Sequence, residues 1–374
     1  MAGPFCTLIL ADLGADVIKI EPPDRGDLSR SMGGEGLRMK GSDHAPFLAL
    51  NRNKRSVVLD LKDEAGVQGF HALVKTADVV VENFRPGVTA RLGIDYPTLA
   101  ALNARIVYAS ISGFGQTGPY AGRPGFDLIA QAMSGILSVT GTPGGEPVKC
   151  GVPISDLAAG LYGAIGVQAA LLARERTGRG QHVETSLFEA ALGLSVWETT
   201  EYWATGEVPH ALGSAHRLNA PYQAFRTADG FLVLAALTAR QWADLCRALD
   251  RPELQDDPRF ATNQDRMANL GGLVAEVEAA LATASAEVWV ERLLAAGVPA
   301  APLLDYAQVF ADPHTRARGM VEEVDHPVEG RVPTLGFPLK MTASPLRVRR
   351  PPPLLGEHTE EVLREIGVPV NPTP

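Results

Sequence analysis

Short apolar runs alternate along the chain with stretches in which apolar residues recur every three or four positions. Residues 1–14 read as a helix closed by Gly14, and residues 17–21 as a strand stopped by Pro22 and Pro23. A polar, Gly-rich and basic stretch follows at 24–56, with Arg30, Arg52, Lys54 and Arg55. Strands are then predicted at 56–61, 78–82, 106–111 and 181–186. The helices between and after them fall at 63–76, 96–103, 127–139, 156–177 and 187–204. Apolar strands alternating with amphipathic helices predict an α/β fold with a parallel sheet covered on both faces. A chain that opens on a helix feeding such a strand leads us to expect a sheet short by one strand, or a start downstream of the natural one. Past Pro209 the texture changes. A hairpin at 219–225 and 230–236 precedes helices at 239–249, 265–283 and 285–296, which predicts a smaller α+β domain over 215–305.

Composition narrows the function. A net charge of −9 argues against nucleic acid as the main partner. Cys6, Cys150 and Cys246 are too few and too scattered for a disulfide framework, which fits a reducing cytoplasm. No apolar run reads as long enough to span a membrane, and none reads as a signal peptide. None of the eight histidines pairs with another His or Cys at metal-ligand spacing, so no metal is expected. Neither a nucleophile elbow nor a lysine-bearing phosphate loop is present. Gly113-Phe-Gly-Gln-Thr-Gly118 has dinucleotide spacing, but Pro119 follows where a helix should open, and no acidic residue stands about twenty positions on.

What remains is a lone carboxylate in Gly151-Val-Pro-Ile-Ser-Asp156-Leu-Ala-Ala-Gly160. Ser155 reads as the N-cap of a small-residue helix, which places Asp156 in the first turn. The helix dipole there favours its ionised form. It reads either as a nucleophile or as a capping residue. Arg30, Arg55, Lys62, Arg85 and Arg91 stand in loops around the strands, where parallel sheets bind their ligands, and arginine forks suit phosphate. Each is also compatible with an ordinary solvated face.

The motifs run in an order that resembles one family. They are Ala2-Gly-Pro-Phe-Cys-Thr, Asp12-Leu-Gly-Ala-Asp-Val-Ile-Lys-Ile-Glu21, Asn51-Arg-Asn-Lys-Arg-Ser56, Val81-Glu-Asn-Phe-Arg-Pro-Gly87, Gly113-Phe-Gly-Gln-Thr-Gly-Pro119, Gly125-Phe-Asp-Leu, the Asp156 segment, Thr177-Gly-Arg-Gly-Gln181 and Arg350-Pro-Pro-Pro-Leu-Leu-Gly-Glu-His-Thr359. The chain resembles the class III CoA-transferases of the carnitine- and formyl-CoA transferase (CaiB/BaiF) type, with the α-methylacyl-CoA racemases as relatives. The resemblance implies a Rossmann-like large domain built from both chain ends, as 1–200 and 306–374. It also implies a linker at 201–214, the small domain as an excursion, and two chains interlocked as a homodimer. Acyl-CoA and small carboxylic acids would be the substrates, with no permanent cofactor.

By the same resemblance Asp156 is the nucleophile and Asp127 a second acidic position that orients intermediates. Arg30, Leu59, Lys62, Asn83, Phe84, Arg85 and Arg91 would contact CoA, with Arg123 and Phe126 near the thioester. Phe126 stands where the racemases carry a histidine, which favours transfer over racemisation, since racemisation needs two acid/base groups. A racemase and a silent acyl-CoA-binding protein remain the alternatives. The segments at 51–56, 213–225 and 350–353 look most like the branch that moves CoA among dicarboxylates, such as succinyl-CoA to glutarate. Arg52 is expected to clamp a distal carboxylate with His216 lining the pocket, or else to meet a CoA phosphate.

Overall fold

The computed structural model describes residues 1–41 and 43–368. Helix α1 (Ala2–Asp12) leads into β1 (Val17–Glu21), α2 (Ala45–Leu50), β2 (Lys54–Val58), α3 (Glu64–Val74) and β3 (Val79–Glu82). The single turn α4 (Val88–Arg91), α5 (Tyr96–Leu102) and β4 (Val107–Ser112) follow. Helix α5 starts where sequence places it, because Pro97 occupies its first turn and the Asp95 side chain accepts the Thr98 N–H. All six residues of β4 are buried, as befits a strand with neighbours on both edges.

β3, β4 and β5 (His182–Ser186) form one parallel sheet, with Val79 opposite Val107 and Tyr108 opposite His182. β1 and β2 form another, with Val17 opposite Lys54. The fold is therefore mixed α/β with parallel strands. The single sheet expected from sequence is two among the described residues, because β1 pairs only with β2 and β3 only with β4.

Helix α6 (Asp127–Met133), the turn α7 (Ile136–Val139) and the long α8 (Ile154–Thr177) come between β4 and β5, and α9 (Leu187–Leu194) and α10 (Val196–Thr205) after them. Two predicted helices are broken. The 127–139 helix stops at Ser134 before Gly135, whose φ is +89°, and the 187–204 helix is interrupted at Ser195. Helix α8 lies against α1 and β4 because its small residues permit close approach. A Cβ at Gly160 would meet the Ala2 carbonyl oxygen at 2.9 Å and the Cys6 nitrogen at 3.2 Å. One at Gly163 would meet Ile111 at 2.9 Å. By length and composition α8 is also apolar enough to cross a membrane, which corrects the expectation that no such run exists. Here it packs on α1, α9, β4 and β5.

The chain divides into two compact units. One comprises Met1–Leu137, Lys149–Glu207 and the described residues from Pro313 onward; the other comprises Ser138–Val148 and Val208–Asp312. The 138–148 loop thus groups with the second unit rather than with its sequence neighbours. The Gly213 N–H donates to the Gly141 carbonyl at 2.8 Å and ties it there. In the second unit β6 (Tyr222–Arg226), β7 (Phe231–Ala235) and a third strand β8 (Ala300–Pro302) form an antiparallel sheet. Helix α11 (Ala239–Ala248), α12 (Glu253–Asp256), α13 (Asn263–Ala268), α14 (Leu270–Leu281), α15 (Ala286–Ala295) and α16 (Tyr306–Ala311) accompany it. The core of this unit is built on Phe225, Leu234, Trp242, Phe260, Leu273 and Trp289. The predicted 265–283 helix is two helices, split at Asn269.

The returning chain adds α17 (Pro313–Ala317), the hairpin β9 (Val321–His326) and β10 (Gly330–Leu335), and α18 (Thr359–Glu365) to the first unit. It docks on β2, where the Ser56 carbonyl accepts the His358 N–H and Thr359 Oγ1 accepts the Val58 N–H.

Candidate active site at the start of helix α8

The glycines of the 113–118 loop have a use other than a dinucleotide. Gly113 crosses Gly125 so closely that a Cβ on either would lie 2.7 or 2.5 Å from the other's Cα. That crossing delivers Phe126 and Asp127 to the start of α6. Asp127 then turns to the start of α8. Its Oδ1 accepts the Ser155 N–H at 2.9 Å and the Asp156 N–H at 3.4 Å. Two of the four N–H groups that a helix start leaves without partners are satisfied from a different helix. Ser155, expected as the N-cap, is instead the second residue of α8 and fully buried, with Pro153 at the cap position.

Asp156 is half-buried in this first turn. Burial pushes its carboxyl above the ordinary aspartate range. The Met1 amino group opposes the shift, the Asp127 carboxylate reinforces it, and the Ala2 N–H, which hydrogen-bonds to Asp156, opposes it. Burial thus works against the anion that a first-turn position favours.

The first turn of α1 also meets the loop after β3. Asn83 Oδ1 accepts the Gly3 N–H at 3.2 Å, and Asn83 Nδ2 donates to the Ile111 carbonyl at 2.6 Å. One helical turn therefore touches both Asp156 and Asn83. Beyond Asn83, Phe84 and Arg85 are exposed, as are Arg91 at the end of α4 and Lys62 in the loop after β2. None of these three cations forms an ion pair among the described residues. They stand past the carboxyl ends of β2 and β3, the usual position for an anionic ligand. Leu59 is half-buried and packs into the apolar clusters beneath that loop. Arg123 is exposed with its guanidinium 3.8 Å from the Tyr120 ring centroid, and Phe126 is 66% exposed.

Two sequence assignments are corrected. Arg30 is 4% exposed. Its Nε and Nη2 grip Glu21 at 2.8 Å each, its Nη1 meets Asp43 at 2.7 Å, and it lies over the Phe47 ring. Arg52, also 4% exposed, forms a bidentate pair with Asp12, donates to Thr334 and to the Leu335 carbonyl, and stacks over Phe337. Both forks are spent on the protein, so neither is offered to a CoA phosphate or a distal carboxylate. His216 belongs to the second unit. It stacks on Tyr222, and its Nδ1 accepts the Leu218 N–H at 3.1 Å.

Sequence reading misses Gln131. It is fully buried on α6, four residues after Asp127, and its amide bridges Asp127 to the Cys150 N–H. The available signal was an Asp and a Gln one helical turn apart on an otherwise apolar stretch.

The CoA-transferase family III model matches residues 1–359. Among known proteins, the succinate–glutarate CoA-transferase of Agrobacterium fabrum is 41% identical over 98% of this chain and 92% of its own. The acetyl-CoA:oxalate CoA-transferase of Acetobacter aceti is 42% identical over the same shares. The crystal structure of a CaiB/BaiF family protein from Brucella suis is 40% identical, covers 98% of this chain and 96% of that one, and superposes with a TM-score of 0.86. A match over nearly the whole chain, in sequence and in fold, means that this protein is an enzyme belonging to CoA-transferase family III.

Proposed function

We propose that this enzyme moves CoA between two carboxylic acids, at least one of them a dicarboxylate, with Asp156 carrying the acyl and CoA groups in turn. The observation that carries the reading is Asp156 itself. It is a half-exposed carboxylate at a helix start, flanked by Asp127 and faced by an N–H of α1. Its carboxylate oxygen attacks the donor thioester carbonyl; the C–S bond breaks, leaving a mixed anhydride and CoA thiolate. The thiolate attacks the Asp156 carbonyl, releasing the donor acid and leaving an aspartyl-CoA thioester. The acceptor carboxylate attacks that thioester, and the expelled thiolate takes the acceptor's acyl group, restoring Asp156. Each exchange is split into easier displacements, and neither a metal nor a resident cofactor enters the scheme.

Lys62, Arg85 and Arg91 are the cations for the CoA phosphates, with Asn83, Phe84 and Leu59 along the carrier, and Arg123 and Phe126 near the thioester. Succinyl-CoA is the donor of choice, since two similar enzymes are named for glutarate and oxalate, both dicarboxylates. Incubation with succinyl-CoA followed by hydroxylamine should leave a hydroxamate on the peptide carrying Asp156. A peptide that stays unmodified while CoA is being transferred would refute the scheme.

The working form is a homodimer in the cytoplasm. In the first unit, Ile165 and Leu172 of α8 and Trp197 and Trp203 of α10 are all exposed, Trp203 to 77%. Apolar groups of that size in solvent mark an association surface. Sedimentation should give twice the chain mass, and the pair Trp197→Glu and Trp203→Glu should shift it toward one. A monomeric wild-type protein would overturn this.

A further inference from the structure

The geometry points to Gln131 as a positioning residue for the nucleophile. The inference rests on the reading of Asp156 given above. Gln131 is fully buried and both ends of its amide are bonded. Nε2 donates to Asp127 Oδ2 at 2.7 Å, and Oε1 accepts the Cys150 N–H at 2.9 Å. The reverse orientation would set Oε1 against a carboxylate and the NH2 against an N–H, so these partners allow one arrangement only.

That arrangement has two effects on one turn of helix. It fixes the roll of the Asp127 carboxylate, so that Oδ1 faces the N–H groups of Ser155 and Asp156. It also pins Cys150, three residues before Pro153, and so anchors the chain entering α8. The backbone of Asp156 is held from the cap side and from the entry side by one side chain that touches neither substrate nor Asp156. An apolar residue would fill the space at less desolvation cost. A buried amide with both ends satisfied specifies orientation instead. Ser155, the residue best suited to cap this helix locally, is turned inward, so the cap depends on Asp127, and its direction on Gln131. A nucleophile misplaced by about 1 Å loses roughly 100-fold in rate.

The test compares Gln131→Glu and Gln131→Met with wild type. It measures kcat and KM for succinyl-CoA from weakly acidic to neutral pH, thermal unfolding at each pH, and the rate of hydroxylamine trapping on Asp156. Gln131→Glu keeps the shape. At neutral pH the introduced carboxylate cannot donate to Asp127 and repels it; when protonated it can donate again. Its kcat should be about 10- to 100-fold low at neutral pH, with KM for the donor within about 2-fold, and the deficit should shrink as pH falls. Gln131→Met should lose a similar factor that does not recover with pH. Should Gln131→Met not fold, the recovery of Gln131→Glu within one protein decides the matter; should Gln131→Glu not fold, the split between kcat and KM in Gln131→Met does. Trapping on Asp156 at the wild-type rate in a folded variant, or a deficit in Gln131→Glu that is flat with pH, overturns the positioning role. Absence of trapping in wild type overturns the reading of Asp156 instead.

Discussion

Replacing Asp156 with asparagine is expected to lower turnover at least about 10³-fold while leaving the fold intact or slightly more stable. The loss follows from covalent catalysis, because an amide oxygen cannot take and return an acyl group, and residues acting as the reacting unit show the largest deficits. The stability gain follows from the direction of the carboxyl's shift. Burial raises the folded pKa above its ordinary value, so between the unfolded and folded pKa values the native state holds the proton that the unfolded state has lost. The contribution of the protonated group is present below the unfolded pKa and lost as pH rises through the folded one. An amide never ionises and never incurs that loss. Melting temperatures of the two proteins should therefore coincide in acid, separate in favour of Asp156→Asn as pH rises, and run parallel above. The wild-type enzyme should also show an acid limb in kcat above the range of an ordinary aspartate, since attack requires the anion. Residual turnover within tenfold of wild type would remove Asp156 from the chemistry. A lower melting temperature at neutral pH would show that the carboxylate supports the helix start rather than straining it.

The fold class and the position of Asp156 were legible in sequence because each rests on local pattern. The β4 run is apolar but for Ser110 and Ser112, and the Val-Pro-Ile-Ser approach to a small-residue helix fixes where that helix begins to within two residues. What was not legible depends on contacts far apart in the chain. Arg30 and Arg52 look free beside glycines and other cations; their partners are Glu21, Asp43 and Asp12, nine to forty residues away. Sequence shows a charge but not whether another charge has already claimed it. Ser155 carries the strongest local capping preference and loses to Asp127, 28 residues earlier, because its buried hydroxyl donates to the Asp127 carbonyl while its N–H is taken by the Asp127 carboxylate. The glycines of 113–118 satisfy a dinucleotide spacing, yet their demand comes from a crossing with Gly125 that no local rule contains. The broken helices at Ser134 and Asn269 are of another kind: a Gly follows Ser134, and Asn269 itself is a weak helix former, so both breaks were readable and were overridden by the apolar period.

Arg30→Met is expected to cost about 3–5 kcal/mol of stability, the range for removing one partner of a buried ion pair. In a chain of this size that lowers the melting temperature by roughly 4–6 °C. The Glu21 side chain is completely buried and Asp43 nearly so, and the variant leaves both carboxylates without their cation. Glu21 would keep Ser56 Oγ and the Asp27 N–H, so the site weakens without becoming empty of donors. Loss of the bond from Arg30 Nη2 to the Pro353 carbonyl also loosens the returning chain. The sign of the pH dependence gives the sharper check. Burial works to raise the Glu21 pKa, but hydrogen bonds and attraction from Arg30 and Ser56 overcome it and hold the carboxyl below its usual range. In wild type this contribution is present above the unfolded pKa and lost as pH falls through the lower folded one. Without Arg30, burial faces weaker opposition and the folded pKa moves above the ordinary value. Stability from this group is then present in acid and lost as pH rises. The deficit of Arg30→Met should accordingly be small near pH 3 and grow toward neutrality. Pairing it with Glu21→Gln and Asp43→Asn should recover most of the loss, because the residues are coupled. A variant with an unchanged melting temperature and a raised KM for every CoA thioester would return Arg30 to the phosphate role that its sequence context suggests.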